Sequence, residues 1–301
     1  MTTRECSGVA TSQSASADAA ASQQERLSRP GPQEQITVRN VCKTFGDATV
    51  LRDVSATFMR GEIAVVIGGS GTGKTTLLKI LGALDKPTSG AVIFGDVDIV
   101  PLPESQLNDV RKRIGMVFQY SALLDWMTVF ENVAFPLREH TRAHAAEIRD
   151  RVEAKLSVLG LAGAANKQPS ELSGGMRKRV ALARALILEP EIVMYDEPTS
   201  GLDPIMARLV DQLILETRER FGVTSIVISH DMAAAVRIAD RVHLLERGTI
   251  VAAGAPRELL EGSNEHAREF FDASGVDTRR LLLEHERAWR GTCNLLAGGS
   301  Q

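Results

Sequence analysis

The nine residues Gly68-Gly69-Ser70-Gly71-Thr72-Gly73-Lys74-Thr75-Thr76 constrain the fold of this chain more than any other stretch. They follow the apolar run Ile63-Ala64-Val65-Val66-Ile67 and open a pattern that predicts a helix from Thr75 to Leu84, giving the order strand, glycine turn, helix. Glycines let the backbone curl with its N–H groups pointing inward. The helix N-terminus adds partial positive charge and Lys74 a full one, an arrangement that holds polyphosphate at several points. Thr75 places a hydroxyl where Mg²⁺ would bind. A glycine-rich turn that binds nothing is the plainer reading, and the strand and helix on either side speak against it.

With 301 residues and 44% hydrophobic content the chain can build a substantial core as one large domain or two modest ones. A net charge of −3 gives no global attraction to nucleic acid, and none is expected as a partner. Cys6, Cys42 and Cys293 lie far apart and make no metal-ligand spacing, which points to free thiols in a reducing cytosol. No window approaches the roughly 18 consecutive apolar residues of a membrane span, and the N-terminus lacks a signal-peptide pattern. Membrane work is therefore expected to need a separate partner chain.

Residues 1–34 are rich in Ser, Ala, Gln and Thr, with almost no large apolar side chains, and read as a disordered tail. Alternation in Ile36-Thr37-Val38-Arg39-Asn40-Val41 begins the folded part, with further strands through Val50-Leu51 and from Val54 to Met59. Phe45 stands before a Gly-Asp turn, where it could stack on an adenine ring or, as a half-buried hydrophobe, brace the turn. A turn at Pro87-Thr88-Ser89-Gly90 leads into the strand Ala91-Val92-Ile93-Phe94, and a short polar segment leads on to Ile114-Gly115-Met116-Val117-Phe118-Gln119. Gln119, at the carboxyl end of a buried strand, can reach a metal and its attacking water; plain loop solvation is the alternative.

Helical spacing marks Val129 to Phe135 and Ala143 to Leu159 as parts of a helical insertion over about 120–175. A helix from about Gly174 to Leu188 and the strand Ile192-Val193-Met194-Tyr195 follow, ending in Asp196-Glu197-Pro198. Four apolar residues ahead of two carboxylates put the acids at the edge of a buried sheet, on the side of the phosphate loop if the strands are parallel. Asp196 can hold Mg²⁺ through water, and Glu197 can orient and polarise the water that attacks a γ-phosphate. The strand Ser225-Ile226-Val227-Ile228-Ser229 delivers His230, which could hydrogen-bond the same phosphate. Strands from Arg241 to Glu246 and Thr249 to Gly254 come next, then helical patterns near Pro256 to Leu260 and Glu265 to Asp272. Residues Thr278 to Arg290 read as an amphipathic helix that either docks on a partner or packs back on its own domain.

Leu172-Ser173-Gly174-Gly175-Met176, just before a helix, completes a set: Phe45, the 68–76 loop, Gln119, this five-residue signature, Asp196-Glu197, Ser200-Gly201-Leu202-Asp203 and His230. In content and order the set resembles the ATP-binding subunits of ABC transporters. The resemblance implies an α/β P-loop NTPase with a RecA-like core sheet, an antiparallel β subdomain and an inserted α-helical subdomain. The cassette would occupy 35–262, followed by a C-terminal helical extension over 263–301. It implies ATP hydrolysis with Mg²⁺, with Lys74, Gln119, Glu197 and His230 as catalytic residues, Phe45 as the adenine-stacking aromatic and Thr75, Gln119 and Asp196 at the metal. It further implies a homodimer in which each ATP lies between the 68–76 loop of one subunit and Ser173, Gly174 and Gly175 of the other, with Asp203 in the inter-subunit loop.

Met176 at the fifth signature position, Gly115 to Gln119, Phe130 to Thr141 and Ala267 to Phe271 are similar to the ATPases of Mla-type lipid transporters, which work with mammalian-cell-entry (MCE) proteins. This branch implies phospholipid cargo, a multi-span permease, an MCE-domain lipid-binding protein, a small cytoplasmic regulator, and a place on the cytoplasmic face of the inner membrane. The tail after Phe271 and the N-terminal extension depart from the branch. An importer for a polar solute is the alternative, and a soluble ABC ATPase of translation or DNA repair a more distant one. The latter carry two cassettes, coiled coils or cysteine clusters, which this sequence lacks.

Overall fold

Alternation in the first strand produces the first sheet. In β1 (Glu34–Phe45) the side chains of Ile36, Val38 and Val41 are buried, and the strand pairs antiparallel with β2 (Ala48–Met59) and β4 (Ser89–Phe94). β5 (Val97–Asp98) completes the order β2-β1-β4-β5. The structure, a computed structural model, describes residues 33–273, 277 and 280–283. These lie in the unit Glu34–Gln301, apart from Gln33, which ends the unit Met1–Gln33. The expected N-terminal tail and most of the expected helix from Thr278 to Arg290 fall outside the described residues. Leu281, within that stretch, is buried in the core of its own domain.

The second sheet has the order β10-β9-β3-β8-β7-β6 and carries the site. β3 (Ile63–Ile67), β6 (Ile114–Val117), β7 (Ile192–Asp196), β8 (Thr224–Ser229) and β9 (Arg241–Glu246) are parallel, and β10 (Thr249–Gly254) closes the edge antiparallel to β9. Continuous apolar runs are what such strands need, because both faces are covered. Ile63, Val65, Ile67, Val193, Tyr195, Val227 and Val242 face one core, whereas Ala64, Val66, Ile192, Met194, Ile226 and Ile228 face another.

The second core is shared with the antiparallel sheet and with α1 (Lys74–Leu81), whose Leu77, Leu78, Ile80 and Leu81 are buried. The first core is roofed by α3 (Val129–His140), α4 (Ala145–Val158), α5 (Gly174–Leu186), α6 (Pro204–Phe221) and α7 (Met232–Ile238), with α8 (Pro256–Glu261) and α9 (Glu265–Ala273) adding Leu259, Ala267 and Phe271. α3 begins with a capping box: Thr128 accepts from the Glu131 backbone while Glu131 accepts from the Thr128 backbone.

Three helices lack a counterpart in the sequence reading: α6 and α7, over stretches it left unassigned, and one in a segment it read otherwise. The segment between Phe94 and Ile114, read as short and polar, contains the helix α2 (Glu104–Lys112). It buries only Leu107 and Val110, one turn apart, and starts after Pro103 without a side-chain cap, so neither periodicity nor a cap advertises it.

Candidate functional site

The parallel register brings four strand ends to one edge of the sheet: Ile67 lies opposite Ser229, Asp196 opposite Ile228 and Val117 opposite Tyr195. The residues that follow these ends are the candidate site, as expected at the carboxyl edge of an open α/β sheet.

Close packing shapes the phosphate loop. A Cβ on Gly68 would lie 2.2 Å from the Leu245 carbonyl oxygen, and one on Gly73, whose φ is +102°, would lie 2.8 Å from Leu51 Cδ2. Gly71 (φ +76°) faces open space, so its requirement is conformational. The Lys74 ammonium is buried and donates to the carbonyls of Gly68 (3.0 Å) and Gly69 (2.8 Å), which holds it across the loop. Burial pushes its pKa down, partly countered by the carboxylates of Glu197 and Asp196. Ser70 and Thr76 lie on the same loop and first helical turn, and Thr72 Oγ1 donates to the Gly69 carbonyl at 3.0 Å.

Thr75 Oγ1 donates to Asp196 Oδ1 at 3.4 Å, joining the start of α1 to the end of β7. Burial raises the Asp196 pKa; the Thr75 bond lowers it and the neighbouring Glu197 carboxylate raises it further. Glu197 has a left-handed backbone (φ +46°), costly for a residue other than glycine, and its N–H donates to the Ile228 carbonyl at 3.0 Å. That conformation turns its side chain to His230, whose Nδ1 stands 3.0 Å from Glu197 Oε2. An ionised carboxylate only accepts, so Nδ1 carries the proton and Nε2 is left for another partner.

Gln119 Nε2 donates to Ser200 Oγ at 3.0 Å, so the amide meets the segment after β7, while no hydrogen bond joins it to Thr75 or Asp196 among the described residues. Three further residues that sequence reasoning missed hold this loop. Lys178 of α5, itself buried, donates to the Gln119 carbonyl, and Arg184 on the same helix donates to the carbonyls of Ser121 (3.0 Å) and Ala122 (2.7 Å). Asn132 of α3, fully buried, accepts from Leu124 N and donates to three backbone carbonyls of the same loop. Ser121 and Ala122 have positive φ, so these bonds secure a backbone that has little intrinsic preference for its shape. The contacts of Lys178 and Arg184 span 59 to 63 residues and leave no local pattern to read.

Ser173 caps α5 by accepting from Met176 N at 3.3 Å, leaving the turn Gly174-Gly175 at an exposed helix start. Asp203 caps α6 by accepting from Ile205 N (2.9 Å) and Met206 N (3.1 Å). Among the described residues no hydrogen bond or ion pair joins Ser173, Gly174, Gly175 or Asp203 to the phosphate loop. Phe45, at the end of β1, is 52% exposed.

The ABC transporter family profile matches residues 51–200. The intermembrane phospholipid transport system ATP-binding protein MlaF of Escherichia coli (strain K12) is 43% identical over 237 residues, covering 79% of this chain and 88% of that protein. The probable ribonucleotide transport ATP-binding protein mkl of Mycobacterium tuberculosis (strain ATCC 25618 / H37Rv) is 42% identical over 254 residues, 84% of this chain and 70% of that protein. Among solved structures, the dimeric ATP-binding cassette MJ0796 in a post-hydrolysis state bound to ADP and Pi aligns with a TM-score of 0.65 at 35% identity, covering 73% of this chain and 98% of that one. The cbiO1 subunit of the cbiONQ transporter from Clostridium perfringens aligns with a TM-score of 0.71 at 28% identity, covering 83% and 98%. A phosphate loop at a strand end beside paired carboxylates, and 43% identity across most of a transport ATPase, agree: this chain belongs to the ABC transporter family as its ATP-binding, ATP-hydrolysing subunit.

Proposed function

We propose that this chain energises the movement of phospholipid or another lipid across a cell envelope. The observation that carries this reading is the 43% identity to MlaF over 88% of its length. In the same reading the chain works as a homodimer on the cytoplasmic face of the inner membrane, bound to a multi-span permease and an MCE-domain lipid-binding protein. Among the described residues no helix is long and apolar enough to cross a membrane, so contact with lipid runs through such partners. A small cytoplasmic regulator completes the set. The cassette takes 35–262, with the helical layer of about 120–175 facing the permease and 263–301 as an extension.

At the site, Phe45 takes the adenine, and the 68–76 loop with Lys74 takes the phosphates. Water attacks the γ-phosphorus, Glu197 accepts its proton, and the bond to the bridging oxygen breaks with the electron pair leaving on ADP. His230 holds the Glu197 carboxylate through Nδ1–H; Nε2 donates to the γ-phosphate only when it too carries a proton, as in the doubly protonated ring. The donors fit a hard divalent cation: the Thr75 hydroxyl and Asp196 carboxylate are both oxygen ligands, and burial beside Glu197 leaves a concentration of negative charge that a cation relieves. Gln119, with its amide nitrogen on Ser200, keeps Oε1 for the same cation or the water. Mg²⁺, when bound with ATP, offsets phosphate charge. Ser173, Gly174 and Gly175 serve the ATP of the second subunit, a reading supported by the lack of a hydrogen bond to their own loop among the described residues.

Purification of the complex from native membranes, with identification of co-purifying proteins and bound lipids, tests the cargo. Recovery of an MCE-domain protein, a permease and phospholipid supports the lipid reading. A solute permease without lipid enrichment would replace it, and the 42% identity to mkl, named for ribonucleotide transport, makes a polar nucleotide the specific competitor.

A further inference from the structure

Two residues before Phe45 the sequence has a lysine, and strand geometry sets the side chains of i and i+2 on one face. The Lys43 ammonium lies 4.8 Å from the centroid of the Phe45 ring. It also donates to Asp85 Oδ1 at 2.7 Å and to the Lys86 carbonyl at 2.7 Å. Lys43 is buried while the ring beside it is half exposed, so the cation is fixed and one face of the ring is covered. Asp85 belongs to the turn that ends α1: Leu84 N and Asp85 N both donate to the Lys79 carbonyl, at 2.8 and 3.2 Å. α1 is the helix that begins at Lys74. The Thr88 N–H on the Cys42 carbonyl (2.8 Å) and the Thr44 N–H on Thr88 Oγ1 (3.0 Å) join the same two segments. The aromatic at one end of the nucleotide and the loop at the other are thus linked through the far end of one helix.

We propose that Lys43 is a positioning residue for the nucleobase, its ammonium anchored by Asp85 and the Lys86 carbonyl against one face of Phe45 so that adenine stacks on the opposite face. The cation draws ring electron density away from the free face, which favours an electron-rich purine there. A merely structural ion pair would stiffen the strand end without regard to the base. This inference rests on Phe45 being the adenine platform, and the experiment separates the two.

Binding of ATP and of inorganic tripolyphosphate, each with Mg²⁺, is measured on the full chain by displacement of a fluorescent ATP analogue. The proteins compared are the wild type, Lys43→Met, Lys43→Arg, Asp85→Asn, Phe45→Ala and the Lys43→Met/Phe45→Ala double variant. Lys43→Met is expected to weaken ATP about two- to fivefold, the range of an exposed cation–π contact, and to leave tripolyphosphate unchanged. Lys43→Arg restores ATP binding, Asp85→Asn shows a smaller base-dependent loss, and the double variant is no weaker than Phe45→Ala alone. Equal losses for ATP and tripolyphosphate, or losses that multiply in the double variant, overturn the proposal. If Phe45→Ala weakens ATP and Lys43→Met does not, the inference alone falls; if Phe45→Ala has no effect, the stacking reading falls and takes it along.

Discussion

His230 Nδ1 meets Glu197 Oε2 at 3.0 Å, tying the residues after two adjacent parallel strands into one unit. The pair gives the carboxylate a fixed direction and a fixed neighbour. Glu197→Gln keeps the shape and loses the proton acceptor. ATP hydrolysis should fall at least about 100-fold with ATP binding retained, and ATP should then hold a dimer detectable by size-exclusion chromatography. Wild-type turnover in this variant would remove Glu197 from the role of base.

Thr75 and Asp196 stand as oxygen donors from two different elements. Asp196→Asn should raise the Mg²⁺ concentration needed for half-maximal hydrolysis by about tenfold or more, with little change in nucleotide binding at saturating Mg²⁺. An unaltered Mg²⁺ titration would show that Asp196 does not serve the cation.

Ser173 has two separable roles, since its hydroxyl caps α5 and the helix start it caps is proposed to face the second subunit's ATP. Ser173→Asp preserves the cap and adds negative charge. The variant should keep its thermal unfolding midpoint and, as a monomer, its ATP affinity, while hydrolysis is lost. Loss of ATP affinity in the monomer would contradict the head-to-tail arrangement.

The loop glycines should not be equivalent. Gly68→Ala drives a methyl to 2.2 Å from the Leu245 carbonyl oxygen, so urea unfolding should show a loss of about 1–3 kcal/mol. At Gly71 the space is open and only the left-handed backbone resists, which costs roughly 1 kcal/mol. A larger loss at Gly71 than at Gly68 would contradict the packing.

His243 of β9 is buried against Phe58, ring centroids 5.0 Å apart, and neither ring nitrogen has a hydrogen-bond partner among the described residues. Burial, with help from Arg241, lowers its pKa from the usual 6.5 to about 4. The unfolded chain therefore binds a proton between those values that the folded chain does not. Stability should be level above pH 6.5 and fall by up to roughly 3 kcal/mol as pH drops toward 4. His243→Phe or His243→Leu should flatten that acid limb; an unchanged slope would show that other groups set it.

How much of this was legible in the sequence depended on how local the signal was. Ile63 to Thr76 announced strand, loop and helix, because an apolar run, glycines and a helical spacing lie within about twenty residues, and β9 and β10 matched their expected limits. The carboxylates and His230 were found from the strands that precede them, since a parallel sheet sends every strand end to one edge. Left-handed φ at Glu197, Ser121 and Ala122 was invisible, because none of these residue types signals it. Lys178, Arg184 and Asn132 were invisible for another reason: each fixes backbone carbonyls, which any residue carries, and for the first two those carbonyls lie 59 to 63 positions away.

The central sheet, with alternate residues of each strand turned to two different cores, acts as a partition. Val65 and Val66 are chain neighbours that share no packing environment, whereas Val65 and Val193 share one across two strands. Volume changes on opposite sides should therefore combine additively in stability, while changes on one side combine with compensation or conflict. The helical layer and the layer of the antiparallel sheet are accordingly free to diverge or be exchanged as separate inheritances, so long as the strand ends between them keep their alignment.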